Sequence, residues 1–135
     1  MISKISTSSK IYDPIYRAKE ILDKEYQDAL EWINDIRENP NRPKRNECEI
    51  CNSNKKLELH HVRGKKHGNE PITVCHDCHE ILTNRQRLWP DLNTENKDAF
   101  LELGLIDIYE LKYEKTGKEI FKLIAEEKIR GFSYD

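Results

Sequence analysis

Residues 48 to 79 read CEICNSNKKLELHHVRGKKHGNEPITVCHDCH, and this stretch decides the fold. Two Cys-x-x-Cys knuckles, Cys48/Cys51 and Cys75/Cys78, bracket a tandem His60-His61, and His79 directly follows the last cysteine. A Cys-x-x-Cys turn lets two thiolates reach one tetrahedral zinc, and a second pair closes a four-sulfur structural site. The 23 residues between Cys51 and Cys75 are enough for a hairpin whose closure the metal enforces, so that binding energy becomes folding energy.

Lys55 to Val62 alternates apolar and polar residues with Leu57, Leu59 and His61 in phase, the pattern of a short strand. Arg63 to Asn69 is a glycine-containing turn, Pro71 to Val74 a second strand, and Asp77 to about Arg87 a helix that begins inside the second knuckle. Trp89-Pro90-Asp91 breaks that helix. Knuckle, hairpin, knuckle and helix is the order of parts in a treble-clef zinc fold. The expected class is α+β, mostly helical: a treble-clef zinc core over residues 41–91 with one long N-terminal helix and a C-terminal helical extension.

Upstream, residues 1–12 form a loose Ser-rich start within an N-terminal region of residues 1–40. Asp13-Pro14 opens a helix, with Asp as N-cap and Pro at the first helical position. Ile15, Ala18, Leu22, Tyr26, Ala29, Ile33 and Ile36 then recur at steps of three and four until Asn39-Pro40. The stripe suits packing on the rest of the domain, and its spacing also suits a coiled-coil seam joining a homodimer. Asn39 to Asn46 is a proline-containing linker with a basic edge.

Downstream, over residues 92–135, the punctuation predicts three helices packed on the core. Thr94 caps the first, which ends at Leu103 before Gly104; Asp107 caps the second, which ends near Gly117; the third runs from Lys118 to Arg130 and stops at Gly131. Leu101, Leu105, Ile108, Leu111, Ile120, Phe121, Ile124 and Ile129 are the core candidates.

At 135 residues the chain has room for one compact domain. Charged and hydrophobic residues each make up 36% of it, so a core short of large apolar side chains needs a metal's help. With no apolar run of bilayer length and no signal-peptide pattern at the start, the expectation is a soluble, cytoplasmic protein without a membrane partner. In a reducing compartment the four cysteines are zinc thiolates rather than disulfides. The net charge of −2 hides an uneven distribution: residues 40–90 hold 10 Lys+Arg against 6 Asp+Glu, while both flanks are acidic. Four thiolates and one Zn²⁺ would reduce that +4 to +2, so any nucleic-acid contact must rely on local placement.

The histidines form a second set. Adjacent strand residues point to opposite faces, so His60 and His61 cannot both ligate one ion in a regular strand. If His60 turns with His79 toward a cation while His61 faces a substrate, the set combines a metal with an imidazole able to activate water. His76, between the cysteines of the second knuckle, reads as a surface residue.

The string CEIC, eight residues, HH, thirteen residues, CHDCH resembles the HNH endonucleases, the zinc-knuckle branch of the ββα-metal nucleases, over about residues 45 to 90. The resemblance implies His60 and His79 as ligands of a catalytic divalent cation, Mg²⁺ or another, and His61 as general base. It implies double-stranded DNA as substrate. The family's middle Asn is matched most nearly by Asn69, about one residue out of register, with His67 competing for the position. Where some members carry a further ligand one turn after His79, this chain has Thr83 or Asn84. Arg63, Lys65, Lys66, Arg85 and Arg87 become phosphate contacts beside such a site. The alternative from another class is a non-catalytic treble-clef zinc module that binds nucleic acid or protein, its histidines incidental.

Overall fold

The computed structural model describes residues 14–64, 70–90 and 97–131. The N-cap Asp13, the first-helix cap Thr94 and the loose start all lie outside the described residues. The fold is α+β and mostly helical: α1 (Pro14–Glu38), β1 (Leu57–His61), β2 (Pro71–Cys75), α2 (His76–Arg87), α3 (Lys97–Thr116) and α4 (Glu119–Gly131). Chain contacts divide it into two compact units, Met1–Trp32 and Ile33–Asp135.

Helix α1 shows the expected amphipathic stripe, but burial along it is graded. Ala18 is exposed, and Ile21 and Leu22 are 56% and 45% exposed, whereas Ala29, Ile33 and Ile36 are buried. The helix ends as its prolines require, with the Asn39 amide still bonded to the Asp35 carbonyl before Pro40.

In the second unit β1 and β2 pair antiparallel, with His60 opposite Ile72 and Glu58 opposite Val74. All five residues of β2 are buried. Its far edge is covered by the segment before and within the first knuckle. The Glu49 amide donates to the Thr73 carbonyl (2.8 Å), the Glu49 carboxylate accepts from the Thr73 amide (2.6 Å), and the Arg42 guanidinium donates to the Pro71 carbonyl (3.1 Å). A sheet edge presents unpaired backbone groups, and these contacts satisfy them.

Arg42 is itself the hub of a buried ion-pair cluster. Its side chain, 2% exposed, donates to Asp35 at 2.7 Å and to Glu49 at 2.5 Å, and so ties the end of α1 to the knuckle. Those carboxylates hold its guanidinium charged against the desolvation that burial imposes.

The strand alternation puts a different face inward than the apolar residues suggest. His60 is 3% exposed and lies on the covered face with Glu58, while Leu59 is 41% exposed. Helix α2 packs on both strands and covers that face.

The C-terminal region contains two described helices, not three, because α3 runs straight through Gly104 and Asp107. Gly104 is not a stop. It is buried where α3 crosses the end of the hairpin, and a Cβ there would collide with the Val62 carbonyl. Asp107 is not a cap either, since its carboxylate accepts from Trp89 Nε1 at 2.8 Å. The expected stop at Gly117 does occur: with φ at +71° it takes the left-handed position, and its amide bonds the Tyr113 carbonyl. Leu101, Leu105, Ile108, Leu111, Ile120, Phe121 and Ile124 are buried, but Ile129 is 49% exposed and is not a core residue. Lys112 of α3 reaches the first knuckle and donates to the Glu49 carbonyl.

Candidate functional site

The four cysteines come together as their spacing requires. Cys48 and Cys51 sit on the first knuckle turn, Cys75 ends β2 and caps α2, and Cys78 lies in the first turn of that helix. Their sulfurs all lie within 4.8 Å of one another, with Cys51 Sγ and Cys75 Sγ at 3.7 Å. A tetrahedral ion with metal–sulfur bonds of about 2.3 Å spaces its sulfurs by about 3.8 Å, so the cluster is arranged to hold a metal ion.

Backbone amides support the negative charge such a site needs. The Ile50 and Cys51 amides point at Cys48 Sγ, and the Cys78 amide points at Cys75 Sγ, each at 3.4 Å. Cys48 and Cys78 share a proton unequally. A hydrogen bond from Cys78 holds the Cys48 thiol down at about 4, while the same bond pushes the Cys78 thiol far up. A bound cation takes the place of that shared proton.

The histidines occupy the opposite end of β1. His60 and His79 meet edge to face, with ring centroids 5.5 Å apart and planes at 74°. Burial, with His79 and His61 nearby, lowers the His60 pKa to about 3, so its ring stays neutral. His61, next along the strand, is half-buried and projects to the other face.

Gln86 of α2 locks this end of the strand. Its side-chain nitrogen donates to the His61 carbonyl at 2.9 Å and lies 3.3 Å from His60 Nε2. Because the amide nitrogen can only donate, His60 Nε2 accepts and the His60 proton sits on Nδ1.

Glu58, two residues before His60 and hence on the same face, joins the cluster. Its Oε1 lies 2.6 Å from His79 Nδ1 and its Oε2 lies 3.1 Å from His76 Nδ1. Hydrogen bonds from His79 and then His76 hold this carboxyl below the usual carboxylate range. His76 is about half exposed, yet it is engaged, with Nε2 3.5 Å from Glu80. These residues open onto a cleft of about 380 Å³, also lined by Thr83, Asn84 and Arg87.

The basic residues are not equivalent. Arg63 is paired with Glu70 at 2.7 Å and lies 3.6 Å from Asp98, and Arg85 is paired with Glu114 at 2.6 Å. Arg87 is exposed, bonds the Asn84 side chain and borders the cleft. Lys65, Lys66, His67 and Asn69 lie outside the described residues.

Sequence reasoning missed Glu58 and Gln86. The period-two strand pattern would have placed Glu58 beside His60, whereas nothing local marks Gln86, whose partners are 25 and 26 residues away.

Comparison with protein-family models, curated proteins and solved structures gives no match for this chain. Among the described residues no helix is long and apolar enough to cross a membrane.

Proposed function

We propose that the chain is a metal-dependent, HNH-type endonuclease that hydrolyses DNA phosphodiester bonds on a ββα-metal, treble-clef core stapled by a four-cysteine zinc. The observation that carries this reading is the approach of His60 on β1 to His79 on α2, at 5.5 Å between ring centroids, with His61 on the opposite face of the same strand. It adds a histidine pair to a cysteine cluster already arranged for a structural metal.

In this reading His60 and His79 would hold the catalytic divalent cation. Such a cation, Mg²⁺ or another, supplies positive charge beside the scissile phosphate and the leaving 3′ oxygen. His61 takes a proton from the attacking water, which enters in line with the departing oxygen. In the same reading Arg87, which lines the cleft, meets backbone phosphate. The exposed Leu22 on α1 fits the proposed homodimer seam.

A plasmid-cleavage assay across Mg²⁺ and Mn²⁺ tests the reading. Loss of a general base costs about 10²–10⁴ in rate, so His61→Ala should lose that much cleavage while retaining zinc content and DNA binding. Cleavage by purified His61→Ala at the wild-type rate removes the assignment.

Two observations favour the second reading, a non-catalytic zinc module that binds nucleic acid or protein. The lone pair of His60 faces Gln86, and Arg63 and Arg85 are tied up in ion pairs. That reading predicts DNA retention without nicking in any divalent cation.

A further inference from the structure

Glu58 stands between two imidazoles, bonding His79 Nδ1 through one carboxylate oxygen and His76 Nδ1 through the other. Because a carboxylate only accepts, it fixes the proton of His79 on Nδ1 and leaves the lone pair on Nε2. A histidine that ligates a metal commonly donates its other N–H to a carboxylate, which sets the ring orientation and raises the basicity of the ligating nitrogen.

We propose that Glu58 is the positioning carboxylate of the cation site, holding His79 so that Nε2 is presented to a divalent cation. This rests on the nuclease reading, in which His79 is a ligand. Three features of the fold support the role. Glu58 and His60 occupy alternate positions of β1, so one strand face carries both the carboxylate and the second histidine. The Glu58 side chain reaches across to α2 and bonds His79 directly, so the orientation of the His79 ring is coupled to the strand that carries His60. His76 Nδ1 bonds the second oxygen, which restrains the carboxylate from rotating away from His79. His76, exposed as expected of a surface residue, also takes a supporting part at the cleft wall.

Mn²⁺ binding to the full, zinc-loaded chain, followed by loss of the free-ion electron paramagnetic resonance signal, tests this without relying on cleavage. Mn²⁺, the weakest binder among the divalent first-row ions and a seeker of oxygen donors, leaves thiolate-bound zinc in place. Zinc content and the urea midpoint of each variant report whether the fold is intact. Glu58→Ala should weaken Mn²⁺ binding about tenfold to a hundredfold, and Glu58→Gln, which keeps an acceptor for His79 Nδ1–H but no charge, should fall between it and wild type.

Equal affinity in Glu58→Ala and wild type overturns the inference while leaving the nuclease reading intact. A Glu58→Gln variant as weak as His79→Ala also overturns it, because Glu58 would then be a ligand itself. If the wild-type chain takes up no Mn²⁺, the two-histidine cation site fails, and the role of Glu58 fails with it.

Discussion

Gly104, in the middle of α3, lies against the carbonyl of Val62 with no space for a side chain between them. Val62 directly follows His61, so this contact clamps the strand end that carries the histidines to the C-terminal helix pair. Adding a methyl group at Gly104 gains about 1 kcal/mol of helix propensity but forces backbone apart, which costs about 1–3 kcal/mol or more. Gly104→Ala should therefore lower the urea midpoint without changing the slope of the transition. A variant at least as stable as wild type would show that α3 does not bear on Val62.

The cysteine cluster should behave as a folding site. Its sulfurs lie within 4.8 Å of one another, and no disulfide links them. The wild-type chain should carry one tightly held zinc, and a chelator should lower its urea midpoint. Cys51→Ser should unfold at a similarly low midpoint with or without chelator. A chelator that leaves the wild-type midpoint unchanged after zinc is removed argues against a structural metal.

Arg42 carries a second staple that owes nothing to metal. Removing one partner of a buried ion pair typically costs about 3–5 kcal/mol, because the remaining charge stays in a poorly solvated place. Arg42→Ala, which leaves buried Glu49 with the longer, 3.7 Å contact to Arg45, should show a loss of that size in equilibrium unfolding. Adding Glu49→Gln to Arg42→Met should recover part of the loss. A cost under about 1 kcal/mol for Arg42→Ala is the behaviour of a surface pair and would contradict the burial.

Asp107 should make stability fall as pH rises. Burial pushes its carboxyl up to about 6, against the hydrogen bond from Trp89 and the nearby Arg85. Between about pH 4 and 6 the folded chain keeps a proton that the unfolded chain has lost, so stability declines through this window and the full penalty is present above it. A gap of about 2 between the folded and unfolded pKa values corresponds to about 3 kcal/mol. Asp107→Asn keeps an oxygen for Trp89 Nε1 and should gain up to that amount at pH 7, the gain fading as pH falls from about 6 to about 4. Urea titrations across pH 3.5 to 8 check this, and a gain that does not vary with pH rules it out.

Much of the candidate site was legible because its grammar is local. Cys-x-x-Cys turns, the alternation in Leu57–His61 and the helix opening at the second knuckle each depend on neighbours within a few residues, and each is found where expected. Gly117 likewise ends α3 because a left-handed backbone is a local demand. The same punctuation failed at Gly104, where the absence of a side chain serves a close approach between distant segments rather than a helix end. Charge was equally opaque: Arg63 and Arg85 read as a basic face until the fold brings Glu70 and Glu114 to them.

The sequence by itself determined the four-cysteine cluster, the hairpin and the helix that follows it, because spacing, strand period and capping act over short stretches of chain. Only the tertiary structure decided which strand face is covered, and so that Glu58 and His60, rather than Leu59, turn toward α2. Such partnerships span 20 or more residues, as between Glu58 and His79 or Gln86 and His60, and are settled by which surfaces pack together.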